Sequence, residues 1–239
     1  MHRVDAQEIL DSDSCSAREA QSVLAVLGRI NRWFGGVATT RKMVERVAQV
    51  TRATKLSLLE VAAGSGEVPQ KVCTEVARRG ITLDVTLLDR ARAHLPQNRG
   101  AGGDRSLTTL GVVADALALP FGDAAFDVVS CSLFAHHLDA QQLAQFAREG
   151  LRVSRQALLI NDLIRHPVHL ALAYAGYPIM QNRVAWLDGL TSVRRSYTPD
   201  EISSTLVSAF SSQVQVEISC SYLYRMGVIV WKWPAPHSA

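Results

Sequence analysis

The sequence predicts an α/β protein built on a doubly wound, mostly parallel sheet, and three observations predict it. Short apolar runs alternate with stretches of helical periodicity; one run breaks into a glycine turn, Gly64-Ser65-Gly66, that opens a helix; and polar groups recur where the runs end, at Glu60, Asp89, Asp115, Ser132 and Asp162. Strands that alternate with helices become parallel neighbours through right-handed crossovers, and such sheets bind ligands outside the carboxyl ends of their strands.

Composition narrows the class further. A chain of 239 residues with 48% hydrophobic and 20% charged content supports one large domain with a full core. A formal charge of +3, without a basic run interleaved with aromatics, gives nucleic-acid binding no support. Cys15, Cys73, Cys131 and Cys220 stand far apart, with no metal-ligand spacing, and read as reduced thiols; no metal is expected. Residues 1–10 are polar and charged, unlike a secretory signal, and the apolar stretch 157–180 is interrupted by Asp162, Arg165, His166 and His169, which disqualifies it as a membrane span. The cytoplasm is the expected compartment.

The elements follow in order. A first helix starts after Ser14 or Ser16, carries Val23, Leu24, Leu27 and Ile30, extends through Trp33 and Phe34, and stops at Gly35-Gly36; a second, Thr39 to Ala53, carries Met43, Val44, Val47 and Val50 on one face. Together residues 1–54 read as a helical collar or lid. Leu56, Leu58, Leu59 and Val61 form a buried strand, and Gly64 and Gly66 supply the left-handed backbone and close approach that a ligand loop needs. The next helix opens near Glu67, with Pro69 tolerated in its first turn, and ends at Arg78-Arg79-Gly80. A second strand, Ile81 to Leu88, closes on Asp89, 23 positions after Gly66, close to the roughly 20 that separate a glycine turn from the acid gripping a ribose. Beyond a turn-rich loop over 96–107 come a strand from Leu110 to Ala114, a turn at Pro120 to Asp123, a strand from Phe126 to Ser132, a helix from Gln141 to Gly150, and a fifth strand from Ala157 to Ile160 ending in Asn161-Asp162. Residues 163–195 are too long for a plain connection and read as an acceptor lid, with one helix bearing Leu170, Leu172, Tyr174, Tyr177, Ile179 and Met180. A last helix, Pro199 to Phe210, has Thr198 as cap and Glu201 as its box partner, and 213–232 alternates as an antiparallel hairpin at the sheet edge.

LLEVAAGSGEV, VTLLDRA and above all ADALALPFGDAAFDVVSCSLFAHHL resemble the class I S-adenosylmethionine-dependent methyltransferases, in particular the small-molecule branch of ubiquinone/menaquinone type. The resemblance spans about residues 55–162 and implies a seven-stranded Rossmann-like methyltransferase fold over 55–239. It implies S-adenosyl-L-methionine as cofactor and S-adenosyl-L-homocysteine as product. By matching position it assigns the amino and carboxylate end of the cofactor to the loop Glu60, Ala62, Gly64 and Gly66, the ribose to Asp89, the adenine ring to Arg90, the adenine amine to Asp115 with Ala116, and the sulfonium face to Cys131, Ser132 and Leu133. Ala62 departs from the family's glycine, and Arg152-Val153-Ser154-Arg155 stands where a proline-glycine-glycine turn is usual.

Methyl transfer from a sulfonium is an in-line displacement in which positioning supplies much of the acceleration, and a base is needed only when the acceptor must lose a proton. His136 and His137, after the fourth strand, and His166, after the fifth, are the candidate bases; each also reads as a packing or helix-end histidine. The expected acceptor is a small, largely apolar molecule with an aromatic or polyketide-type hydroxyl, enclosed by 134–137, the lid near Tyr174 and Tyr177, and Trp33; C-methylation of a quinone-type ring is the alternative. A nicotinamide dehydrogenase would use the same loop but wants glycine at Ala62. A methyltransferase of planar amines would carry an Asn-Pro-Pro exit from the fourth strand rather than Ser-Leu-Phe-Ala, and a non-catalytic cofactor-binding module stays open.

Overall fold

The computed structural model describes residues 1–6, 8–9, 22–23, 26, 35–95, 110–210, 214–221 and 223–232, with the backbone alone at 110 and 179. Ser22, Val23 and Val26 are helical. The rest of the first expected helix, including Leu24, Leu27, Ile30, Trp33 and Phe34, lies outside the described residues, as do Cys15 and the 96–107 loop.

Helix α1 (Gly36–Thr51) begins three residues earlier than its periodicity suggests, with Gly35, at φ 80°, as its N-cap. Strand β1 (Lys55–Val61), helix α2 (Glu67–Ala77), β2 (Thr82–Asp89), β3 (Leu110–Val113) and β4 (Phe126–Ser132) follow, the strands where the sequence predicts them; the expected alternation with helices fails between β3 and β4, where the chain crosses through turns at 116–124. A 3₁₀ turn over Ala135–His137 leads to α3 (Ala140–Val153), started by a full capping box between Asp139 and Gln142. Helix α3 passes into β5 (Ser154–Leu163) without a loop. Strand β5 is longer than its apolar stretch because Asn161, Asp162 and Leu163 still pair with Gly227, Met226 and Arg225.

Residues 163–195 hold three helices, α4 (Pro167–Ala175), α5 (Tyr177–Met180) and α6 (Arg183–Arg195), where the sequence suggested one. Gly176 and Pro178 break the apolar stripe between α4 and α5, and Asn182 caps α6 by accepting from the Ala185 N–H at 3.0 Å. Helix α7 (Pro199–Phe210) carries the expected box: Thr198 N–H donates to Glu201 at 2.9 Å, and Glu201 N–H to Thr198 Oγ1 at 3.3 Å. Strands β6 (Val214–Ser221) and β7 (Arg225–Lys232) form the closing hairpin.

The seven strands run in the order β3-β2-β1-β4-β5-β7-β6. The first five are mutually parallel; β7 inserts antiparallel between β5 and β6. Side chains alternate through the sheet. Leu59, Val61, Val129, Leu158 and Ile160 pack toward Phe146 and Leu151 of α3 and Ile202 and Leu206 of α7. Leu56, Leu58, Val128 and Leu159 pack toward Val44 and Val47 of α1 and Val72 and Val76 of α2. Two helical layers thus cover the sheet and leave its carboxyl edge to the loops.

Candidate active site

The parallel strands deliver their polar ends to one edge. Glu60 is the penultimate residue of β1, Asp89 the last of β2, Ser132 the last of β4 and Asp162 the penultimate of β5, while Asp115 follows β3. Between β1 and α2 the backbone turns left-handed three times, at Ala62 (φ 54°), Gly64 (φ 53°) and Gly66 (φ 71°). Gly66 N–H donates to Ala63 O at 2.9 Å, and Ala63 N–H donates to Leu88 O at 3.0 Å, which ties the loop to β2.

Asp89 locks this arrangement. Its Oδ2 accepts from Gly64 N–H at 2.9 Å and its Oδ1 from Ala91 N–H at 2.9 Å, with His94 Nδ1 at 3.3 Å. Burial opposes ionisation here, but His94 and the two N–H groups outweigh it and hold the carboxyl below its usual range. Glu60 is the opposite case. It is 1% exposed, its Oε2 has no hydrogen-bond partner, and burial pushes its carboxyl up to about 7, although the hydroxyls of Ser130 and Ser132 lie near enough to moderate the rise. Asp115 is exposed, and its Oδ1 accepts from Leu117 N–H at 2.9 Å; Ala116 is half-buried and Arg90 is exposed.

At the end of β4, Cys131 is fully buried, and burial, with Glu60 and Asp162 adding to it, pushes its thiol well up, so it stays protonated. Leu133 adopts φ 56°, and its N–H donates to Asn161 O at 2.8 Å. Asn161 also reaches into α1: its Nδ2 donates to Gly36 O and to Thr40 Oγ1, each at 2.8 Å, and Thr40 Oγ1 lies 3.5 Å from Ser132 Oγ. Thr40 and Asn161 thus fasten α1 beside the β4 and β5 ends. Sequence reasoning missed both as site residues; the only signal was the polar Asn161-Asp162 pair closing an apolar run.

The three candidate bases are not brought together. His136 is 2% exposed; Asp162 Oδ1 accepts from its Nδ1 at 2.7 Å and Asp162 Oδ2 from its backbone N–H at 2.9 Å. Glu8, another residue that periodicity did not reveal, places Oε1 3.3 Å from His136 Nε2 and Oε2 3.8 Å from His137 Nε2. Burial disfavours the imidazolium, yet Asp162 and Glu8 overcome that and raise His136 to about 9. His137 is half-buried, with its ring stacked near Phe134. His166 stands apart, capping α4: its Nδ1 accepts from Val168 N–H at 3.2 Å, and its ring stacks on Tyr224.

The N-terminal segment closes over this corner. Arg3 donates to the carbonyls of His136 at 3.0 Å and Leu138 at 2.7 Å, Ile9 N–H donates to Asp188 Oδ1 at 2.7 Å, and Arg165 Nε donates to Met1 O at 3.0 Å. Among the described residues no helix is long and apolar enough to cross a membrane.

Residues 59–157 match the family described as methyltransferase domain, and no curated protein matches the chain. Solved structures with the same fold include the plantazolicin methyltransferase BpumL with a triazolic desmethylPZN analog and SAH, at 13% identity and a TM-score of 0.67, covering 93% of each chain. Human N-acetylserotonin methyltransferase with SAM aligns at 13% identity and a TM-score of 0.63, covering 96% of this chain and 60% of that one. An O-methyltransferase family 2 protein from Planctomyces limnophilus in complex with apigenin aligns at 16% identity and a TM-score of 0.57, covering 92% of this chain and 63% of that one.

Proposed function

We propose that this chain, which carries a methyltransferase domain over residues 59–157, transfers a methyl group from S-adenosyl-L-methionine to a small, largely apolar acceptor, with an aromatic or polyketide-type hydroxyl as the receiving group. The observation that carries the cofactor reading is Glu60 Oε2, a buried carboxylate oxygen with no hydrogen bond, beside a loop folded by two left-handed glycines. Such an oxygen calls for a cationic donor, and the ammonium of a methionine end is one.

We assign Glu60, Ala62, Gly64 and Gly66 to the amino-acid end. Asp89, already ionised and oriented by Gly64 and Ala91, takes the ribose. Arg90, Asp115 and Ala116 border the adenine; Asp115 keeps Oδ2 for an exocyclic amine while Oδ1 holds its own turn. Cys131, Ser132 and Leu133 line the reacting face, where the donor supplies an electrophilic methyl group. The chain's own work is to orient, to exclude water and to remove a proton. Orientation alone accounts for about 7–11 kcal/mol in well-aligned systems.

Proton removal belongs to His137 in the corner it shares with Glu8 and His136; His136 itself is 2% exposed and raised to about 9, so it is already charged at neutral pH and is the weaker base of the pair. His166 is a weaker candidate, because a neutral ring whose Nδ1 accepts from Val168 keeps its hydrogen on Nε2 and has no lone pair left there. We assign 163–195, with Leu172, Tyr174 and Tyr177 exposed, as the lid that forms the apolar mouth, and 1–54 as the helical collar. The ADALALPF to HHL run supports the ubiquinone/menaquinone-type branch, and the likeness to an N-acetylserotonin methyltransferase and to an O-methyltransferase family 2 protein solved in complex with apigenin supports a small acceptor. The free thiols Cys73, Cys131 and Cys220 favour a reducing, cytoplasmic setting. Turnover with phenolic and enolic acceptors, followed by position of the transferred methyl, tests this reading; methylation of RNA in place of any small molecule overturns the acceptor class.

A further inference from the structure

We propose that Glu8, His136 and His137 form a three-ligand site for a divalent cation of the zinc class. Their donor atoms all lie within 4.8 Å of one another. His136 Nε2 and Glu8 Oε1 are 3.3 Å apart, and His137 Nε2 and Glu8 Oε2 are 3.8 Å apart. Two imidazoles and one carboxylate are a donor set that zinc takes in open sites, with bonds of about 2.0–2.2 Å, which in a tetrahedron set ligand atoms about 3.3 Å apart.

Two independent observations point to a ligand at that spot. His136 Nε2 is buried and makes no well-aligned hydrogen bond, with Glu8 Oε1 3.3 Å away, so a cation among the three groups would give it the partner it lacks. The backing is also that of a metal site. Asp162 holds His136 Nδ1 at 2.7 Å, which sets the ring's tautomer, and Ser192 Oγ donates to Glu8 Oε1 at 2.7 Å, which sets the carboxylate. Arg3 and Arg195 hold the carbonyls of His136, His137 and Leu138, so both rings are carried on a clamped backbone. The cation would fasten the N-terminal segment to the 3₁₀ turn at the mouth of the acceptor site.

This deepens the methyltransferase reading by giving that corner a cation, yet metal uptake is read without cofactor or acceptor, so its failure leaves the methyl-transfer reading standing. Untagged full-length protein, stripped with a chelator, is titrated with ZnCl₂ in competition with a chromophoric chelator, and separately loaded with Co²⁺. The site predicts one equivalent per chain and the visible bands of four- or five-coordinate cobalt. Glu8→Gln and His137→Gln should each weaken uptake about tenfold or more, and Ser192→Ala, which keeps all three ligands, should weaken it less. Cys220→Ser, an exposed thiol on β6, should leave it unchanged. Absence of a stoichiometric zinc, a six-coordinate cobalt spectrum, or uptake that survives both ligand substitutions in folded protein overturns the proposal.

Discussion

Ala62, Gly64 and Gly66 share a left-handed backbone but not a role, and substitution separates them. Ala62 carries a Cβ at φ 54°, a conformation that costs an L-residue roughly 1–2 kcal/mol. Glycine removes that cost but adds unfolded-chain entropy of about 0.4–1 kcal/mol, so Ala62→Gly should raise stability by roughly 0.5–1 kcal/mol in urea unfolding. A Cβ on Gly66 would lie 2.5 Å from Leu87 Cδ1 in the core, so Gly66→Ala should destabilise the fold. Gly64 donates to Asp89 in the loop proposed to hold the cofactor, so Gly64→Val should lose S-adenosylhomocysteine binding while the protein stays folded. A folded Gly64→Val protein that binds normally would remove the loop from the site. Glu60 adds a pH signature. Its folded pKa of about 7 stands above the ordinary 4.5, so between those values the native state holds the extra proton. Its contribution is therefore present below pH 4.5 and lost as pH rises through 7, about 3 kcal/mol in all. Glu60→Gln should flatten the fall of urea-derived stability between pH 5 and pH 8, at the expense of cofactor affinity; an unchanged slope would mean that Glu60 is ionised throughout.

At the scale of elements, the turn from β3 to β4 depends on a residue of α3. Arg152 donates to Leu119 O at 3.0 Å and Phe121 O at 2.8 Å, and pairs with Glu149 and Asp123. The residue that replaces the usual proline-glycine-glycine turn thus clamps the LPF turn, and α3 runs into β5 with no linker. Arg152→Ala should cost about 1–3 kcal/mol by leaving those carbonyls unpaired, and urea unfolding at neutral pH measures it; a neutral outcome would show that water replaces the guanidinium there. Most elements were legible because their signals are local. The apolar runs of β1, β2 and β4, the glycine turn, and the Thr198–Glu201 box each lie within about ten residues of chain. Residues 163–195 were less legible, since Gly176 and Pro178 cut an apolar stripe that periodicity reads as continuous, and β5 extended past its apolar run because β7 pairs with polar residues as readily as apolar ones.

For the whole molecule, the order β3-β2-β1-β4-β5-β7-β6 brings the strand-end acids to one edge, and the sequence foretold which residues would stand there. It did not foretell Glu8, Thr40 or Asn161, because their roles arise from contacts 121–128 positions apart along the chain that no local pattern encodes. The same distance explains His136: beside His137 in sequence it looks like a free base, and only the fold shows it held between Asp162 and Glu8. The central claim is that this edge binds the adenosyl cofactor through Asp89, and calorimetric titration with S-adenosylhomocysteine, then with NAD, tests it most directly. One equivalent of S-adenosylhomocysteine should bind, NAD should not, and Asp89→Ala should weaken binding by about 1–3 kcal/mol, roughly 5- to 150-fold. Preferential binding of NAD, or a folded Asp89→Ala protein with unaltered affinity for S-adenosylhomocysteine, would contradict the account.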